Sequence, residues 1–374
     1  VMRVILAGGG TGGHLYPALA LGEALREEWP ELEVHYVGAQ RGIEARVLPA
    51  RGVEHTLLPL EPLRRDHIWR NWRLIPSMTQ SALGLSRLFR RLQPRLVVGT
   101  GGYASGPACV WALLKGVPVA LQEQNSYPGL VTRQLSRWAR QVHLGFPEAE
   151  RYLKPGPQTE VFTFGNPIRP PDPTLDRAEC RRHFGLDTRG VVVLVVGGSQ
   201  GARAINEALA GAIEAVAGGG LQGPPEGMQL LWATGPAHES SIRERLASLG
   251  VEDWVRVVGY IEEMPKALAA ADFALSRAGA MATAELMAWG IPALLVPLPT
   301  AAANHQVHNA RALDDAGAAV CLPESELTSE RLWSTLLELA GEEGRRAAMA
   351  ERARERARPN AARRIALRLL ALVA

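Results

Sequence analysis

Three glycine-rich loops carry most of the chemistry that residue types alone disclose. The first, Gly8-Gly9-Gly10-Thr11-Gly12-Gly13-His14, follows the apolar run Arg3 to Ala7 and precedes a helical stretch from about Leu15 to Trp29. A strand, a glycine loop and a helix in that order turn backbone N–H groups and a helix N-terminus toward an anion. Glycine lets that anion approach with no Cβ in the way. The second loop, Thr100-Gly101-Gly102-Tyr103-Ala104-Ser105-Gly106, and the third, Gly197-Gly198-Ser199-Gln200-Gly201-Ala202, repeat the arrangement, and the third adds the Ser199 hydroxyl. His14 stands where the first loop enters its helix. Histidine titrates near neutrality, so His14 can serve as a base or a phosphate partner; it can also be a helix-start residue bonded to backbone. Gly8, Gly10 and Gly13 satisfy G-x-G-x-x-G, but a dinucleotide site wants an acid at the end of the next strand. That strand, Glu33 to Val37, closes Tyr36-Val37-Gly38, so the NAD reading loses ground.

Further polar residues fall at the carboxyl ends of apolar runs, where open α/β sheets bind ligands. Pro118 to Leu121 leads into Gln122-Glu123-Gln124-Asn125, in which Glu123 and Asn125 are either site residues or turn and cap residues. Phe273 to Leu275 leads into Ser276, Arg277 and Gly279. A small-residue helix follows with Glu285 in its first turns, ended by Gly290, Ile291 and Pro292. A buried strand, Ala293 to Val296, then opens onto Asn304, His305, Gln306 and Asn309.

Positioning these loops takes an alternation of strands and helices. Val191 to Val196, Gln229 to Ala233, Trp254 to Val258 and Asp272 to Leu275 continue the alternation through the second half. The proline-rich stretch Phe164 to Pro173 is non-periodic and reads as a linker. The expected fold is α/β, with two Rossmann-like domains of parallel sheet: residues 1–165, residues 166–341, and a helical tail, 342–374, packing back on the first domain. With 374 residues, 47% of them hydrophobic and 21% charged, the chain is long enough for two globular domains. Three distant cysteines, Cys109, Cys180 and Cys321, fit neither a disulfide frame nor a zinc site. No apolar run is long enough to span a bilayer and the first residues carry no signal-peptide core, so membrane contact is expected to be peripheral.

Arg64 to Arg95 holds eight arginines and one acid, Asp66, with Trp69 and Trp72 among them. Its apolar residues from Leu74 to Leu92 recur near every 3.6 positions, as on an amphipathic helix. Tryptophan interleaved with arginine marks an interfacial membrane patch, here Trp69, Arg70, Trp72 and Arg73. The rival, a nucleic-acid surface, has no recognisable module behind it.

Two Rossmann-like domains facing a cleft is the plan of the B-type (GT-B) glycosyltransferases, and the chain lacks the D-x-D pair of the other major architecture. The motifs Gly9 to His14, Gly101-Gly102-Tyr103, Glu123-Gln124-Asn125, Gly165-Asn166-Pro167-Ile168-Arg169, Gly197 to Ala202 and Asn304-His305-Gln306, in this order, resemble the MurG family over nearly the whole chain. These are the peptidoglycan N-acetylglucosaminyltransferases that convert lipid I to lipid II.

The resemblance implies a UDP-N-acetylglucosamine donor bound mainly by the second domain. Ser199 would face its diphosphate, Arg169 the nucleotide, the Ile261 backbone the uracil edge and Glu285 the ribose. Gln306 would meet the sugar, and Ala280 and Met281 would line the donor site. Asn125 and Thr11, Gly12 and Gly13 would close from the first domain. The lipid I diphosphate would lie near Gly10, Gly101, Gly102 and Tyr103, with the anionic cytoplasmic leaflet beneath. His14 would take the acceptor proton in an inverting displacement, or alternatively bind phosphate. No cofactor or metal is implied beyond a stimulatory divalent ion. The expected place is the cytoplasmic face of the inner membrane, in cell-wall biogenesis, and so in cell shape, division and the cell cycle, with other cell-wall proteins as compatible partners. Two departures stand out: Thr283 sits one place later than the family's threonine, and the loop Thr300 to Ala303 is plain. The alternatives are a GT-B transferase with another lipid acceptor, a UDP-N-acetylglucosamine isomerase, or a non-catalytic nucleotide-binding scaffold.

Overall fold

The computed structural model describes residues 2–61, 75–198 and 201–373. The chain divides into two units, Val1–Arg169 with Arg358–Ala374, and Pro170–Ala357. In the first unit the strands are β1 (Arg3–Gly8), β2 (Glu33–Ala39), β3 (His55–Leu58), β4 (Leu96–Gly101), β5 (Val119–Glu123), β6 (Gln141–Leu144) and β7 (Glu160–Phe162). Its helices are α1 (Gly12–Glu28), α2 (Glu44–Ala50), α3 (Ile75–Leu92), α4 (Ser105–Leu114), α5 (Leu130–Leu135) and, from the end of the chain, α14 (Ala361–Leu370). The second unit holds strands β8 (Val191–Val196), β9 (Met228–Ala233), β10 (Val255–Val258), β11 (Phe273–Ser276), β12 (Ala293–Leu295) and β13 (Ala319–Cys321). Its helices are α6 (Arg177–His183), α7 (Arg203–Ala217), α8 (Glu239–Leu246), α9 (Met264–Ala270), α10 (Ala280–Trp289), α11 (His305–Asp315), α12 (Ser329–Gly341) and α13 (Glu343–Arg356).

Both sheets are parallel. Their orders are β3-β2-β1-β4-β5-β6-β7 and β10-β9-β8-β11-β12-β13. The aliphatic runs of β1 and β8 follow from this, because helices cover both faces of such sheets. Val192 to Val195 of β8 and Val4 to Ala7 of β1 are almost wholly buried. Within each unit the strand order reverses beside its first strand. β1 pairs with β4 through Val4↔Leu96 and Ala7↔Gly99, and β8 pairs with β11 through Val193↔Phe273 and Val196↔Ser276. The glycine loops leave the carboxyl ends of these strands, where a doubly wound sheet opens a crevice.

The domain boundaries differ from the expected ones in two respects. The first unit runs on to Arg169 rather than ending at residue 165, because the Asn166 side chain is buried against Gln122 and Gln124 at the end of β5. The tail 342–374 does not act as one piece. Met349 of α13 joins the core of the second unit, while Ile365, Ala366 and Leu369 of α14 join that of the first beside Leu21 and Leu25. Pro359 explains the break: a proline cannot continue a helix and steers the residue before it out of the helical region. The tryptophan–arginine patch Trp69, Arg70, Trp72 and Arg73 lies outside the described residues, as do Ser199 and Gln200.

Candidate active site

In the first unit α1 starts inside the glycine motif, at Gly12, and not after it. The Thr11 carbonyl accepts the N–H groups of His14 and Leu15. The first-turn amides of Gly12 and Gly13 have no partner among the described residues, so they form the positive end of the helix. The loop after β4 lies directly against this turn. Gly101, at φ 96°, runs so close beneath His14 that a Cβ would come within 2.7 Å of Nδ1, and Gly102, at φ 74°, passes the Gly9 carbonyl. Only glycine meets both the backbone angle and the space.

His14 is half-buried over this loop. Its Nδ1 lies 2.9 Å from Gln124 Oε1 and 3.2 Å from the Thr100 carbonyl oxygen. The Gln124 amide is oriented by its other end: Nε2 donates to the Thr100 carbonyl at 2.8 Å, to the Gln122 carbonyl at 3.1 Å and to Gln122 Oε1. With two oxygen acceptors in front of it, Nδ1 must carry the proton. Nε2 then keeps its lone pair, which is what a general base requires. Asn166 Nδ2 donates to the Gln124 carbonyl at 2.9 Å and its Oδ1 accepts from Gln122 Nε2 at 3.2 Å, so the end of the first unit anchors the strand that orients the histidine.

The remaining first-unit candidates have distinct placements. Tyr103 packs against Gly10, and burial, helped by the nearby Glu44 and Glu61 carboxylates, raises its phenol pKa. Glu123 closes a turn, accepting the Asn125 N–H at 3.1 Å and the Gly129 N–H at 2.9 Å. Asn125 is buried and its Nδ2 donates to Glu123 Oε1. Arg169 belongs to the first unit, largely exposed, with its guanidinium 3.6 Å from Glu23 on α1.

The second unit holds a cavity of about 820 Å³ at the carboxyl ends of β8 and β11. Gly198, Ile261, Arg277, Glu285 and Gln306 line it. Glu285 projects from α10 into its wall, and burial pushes its carboxyl pKa up to about 7. Gln306 Oε1 accepts the Leu298 N–H at 3.0 Å, which holds the start of α11 against the loop after β12. Arg277 donates to the Val296 carbonyl at 3.1 Å and pairs with Glu324 at 2.5 Å, a buried cation on the cavity wall. Ala280 and Met281 begin α10 but are not among the residues facing the cavity; Ala282 is. Thr283 is turned inward, its hydroxyl donating to the Gly279 and Ala280 carbonyls. Thr300 reaches the cavity ahead of the alanine loop. Among the described residues no group of three or more His, Cys, Asp or Glu is placed to hold a metal ion.

Residue types did not single out Gln124, Asn166 or Glu44. Gln124 and Asn166 lie inside the Glu123-Gln124-Asn125 and Gly165 to Arg169 motifs, where type alone gives them no role. Glu44 carried one faint signal, its place two residues after Gly42.

Two parallel α/β units, each opening a glycine loop at its switch point, define the GT-B glycosyltransferase class. The glycosyltransferase family 28 N-terminal domain matches residues 4–144 and the family 28 C-terminal domain matches residues 192–365. The chain is 41% identical to the UDP-N-acetylglucosamine–N-acetylmuramyl-(pentapeptide) pyrophosphoryl-undecaprenol N-acetylglucosamine transferase of Moorella thermoacetica, with 96% of each chain covered. It superposes on the crystal structure of Acinetobacter baumannii MurG with a TM-score of 0.78, 29% identity and coverage of 99% of this chain and 100% of that one. A putative UDP-N-acetylglucosamine 2-epimerase from Listeria monocytogenes shares the fold alone, at 16% identity, TM-score 0.66 and coverage of 97% and 94%. The chain belongs to the family of these peptidoglycan N-acetylglucosaminyltransferases and is a UDP-sugar-dependent hexosyltransferase.

Proposed function

We propose that the chain transfers N-acetylglucosamine from UDP-N-acetylglucosamine to the 4-hydroxyl of the N-acetylmuramoyl group of lipid I, giving lipid II. The observation that carries the mechanism is the His14 ring, whose Nδ1 faces two acceptors while Nε2 has no partner among the described residues. Nε2 takes the proton of the attacking hydroxyl. The new O4–C1 bond forms as the bond from C1 to the UDP oxygen breaks, and the configuration at C1 inverts. The electron pair leaves on the diphosphate, whose charge the start of α7 and the loop before it would stabilise. Glu285 accepts the ribose hydroxyls, Ile261 borders the uracil, and Gln306 meets the sugar. The Gly12 and Gly13 amides and the Gly101-Gly102-Tyr103 loop serve the acceptor diphosphate.

We infer peripheral attachment to the cytoplasmic leaflet. No described helix is long and apolar enough to cross a membrane. Met78 and Leu83 on α3, Val110 and Leu114 on α4, and Trp138 after α5 are exposed large hydrophobic residues, with Lys115 and Arg137 stacked on neighbouring tryptophans. Apolar side chains with cations beside them fit an anionic bilayer surface.

The test offers UDP-N-acetylglucosamine with a short-chain lipid I analogue, with diacylglycerol, or alone, in EDTA. UDP release with the analogue only is expected. Release with diacylglycerol would favour another lipid acceptor, and conversion of the donor without acceptor an isomerase.

A further inference from the structure

Glu44 is a buried carboxylate to which the mechanism above gives no part. It opens α2 and is 0% exposed. Its Oε1 and Oε2 lie 3.0 and 2.9 Å from the Gly10 N–H, and Oε1 also accepts the Ala39 N–H at 2.8 Å. The space around it is cleared by glycines: a Cβ at Gly9, Gly38 or Gly42 would collide with its side chain. No arginine or lysine among the described residues forms an ion pair with it. A buried charge without a cation depends on hydrogen-bond donors, and here the amides of the β1 loop and the β2 end supply them. Gly10, at φ 88°, is thereby held between the Glu44 carboxylate on one side and the Tyr103 ring on the other, where an added Cβ would come within 2.6 Å of Tyr103 Cε1.

We propose that Glu44 is a positioning residue for the transfer: it fixes the glycine loop through the Gly10 amide and so directs the acceptor's diphosphate to the first-turn amides of α1. Two consequences of the geometry support this. The Gly10 N–H is consumed by the carboxylate and is no longer a donor for a ligand. The negative charge behind the loop also disfavours an anion on the β1 side, which leaves the Gly12 and Gly13 amides as the favourable end. An apolar side chain could fill the same volume, but it would leave the Gly10 and Ala39 amides without their acceptor. The role assigned to the loop rests on the proposed function; the Glu44–Gly10 contact does not.

The experiment uses the full chain with Glu44→Gln, Gly42→Ala and the double variant. Gly42 lies outside the glycine loop, and the three atoms nearest its added methyl all belong to Glu44. Three quantities are read: turnover of the lipid I analogue, UDP affinity by calorimetry as a report on the second unit, and hydrogen exchange of the Gly10 amide. Glu44→Gln is expected to lower kcat/KM for the acceptor about 10- to 100-fold, the scale of a loop displaced by roughly an ångström. UDP affinity should stay within about twofold and Gly10 exchange should quicken. Gly42→Ala should give a smaller loss in the same direction, and the two effects should not simply add in the double variant, since both act through one side chain. Unchanged acceptor kcat/KM in Glu44→Gln overturns the proposal, as does a fall in UDP affinity that matches the fall in turnover. If Glu44→Gln does not fold, Gly42→Ala decides by the same split. If the wild-type protein turns over no lipid I analogue, the functional reading fails, while Gly10 exchange still judges the contact.

Discussion

Nδ1 of His14 donates to Oε1 of Gln124 across 2.9 Å, a neutral partner where many catalytic histidines face a carboxylate. The amide fixes the ring and its tautomer without adding a negative charge beside it. Replacing His14 with Ala should lower kcat about 10²- to 10⁴-fold, the usual worth of a positioned base, with UDP affinity unchanged. Gln124→Leu should lower kcat less, since the Thr100 carbonyl still accepts from Nδ1. Steady-state kinetics beside UDP calorimetry check both; full turnover in His14→Ala removes the base assignment.

Gly101→Ala tests the contact from below. The new methyl would meet His14 Nδ1 at 2.7 Å on a backbone at φ 96°. A strained left-handed residue costs about 1–3 kcal/mol, so denaturant unfolding should show a loss of that size along with lower kcat. Wild-type kcat in a stable Gly101→Ala protein would mean the ring does not sit over this loop.

Glu285 makes stability and donor binding depend on pH in opposite ways. Its folded pKa, pushed up by burial to about 7, lies well above the ordinary glutamate value. Below about pH 4.5 the group is protonated in both states and costs nothing. As pH rises toward 7 the unfolded chain ionises first, and stability falls by up to about 3 kcal/mol, the free-energy equivalent of the shift. Glu285→Gln should therefore be more stable than wild type at pH 8 and about equal at pH 4.5, by thermal unfolding of the free protein. Ribose hydroxyls favour the ionised acceptor, so UDP binding at pH 6 should release a proton, seen as buffer-dependent enthalpy in calorimetry. No buffer dependence would show that Glu285 does not meet the ribose as a carboxylate.

The exposed apolar residues give a fourth prediction. Leu83 and Leu114 are 55% and 74% exposed. Changing both to Ser should weaken cosedimentation with anionic vesicles about tenfold or more, because each buried leucine contributes about 1.5–3 kcal/mol. UDP affinity should not move. Undiminished vesicle binding would place the membrane contact elsewhere.

Much of the fold was legible because parallel sheets write themselves plainly: β8 is six consecutive aliphatic residues followed at once by a glycine loop. His14 and Gly101-Gly102 drew notice by type and spacing, and the folded chain brings them together. Glu44 was not legible, since its partner is a backbone amide 34 positions away and no side-chain pattern records such a bond. Gln124 was hidden for a related reason: an amide gains its meaning from the orientation imposed by Gln122 and Thr100. The break in the tail is marked only by Pro359, since the helical composition on both sides of it is continuous. The third loop's Ser199 hydroxyl lies outside the described residues.

The most direct measurement is the structure of the product formed from UDP-N-acetylglucosamine and the lipid I analogue, read by NMR. The account predicts a disaccharide joined at O4 of the muramoyl residue, with the large H1–H2 coupling of a β link and one UDP released per link. An α link, attachment at another hydroxyl, or no disaccharide at all would contradict it.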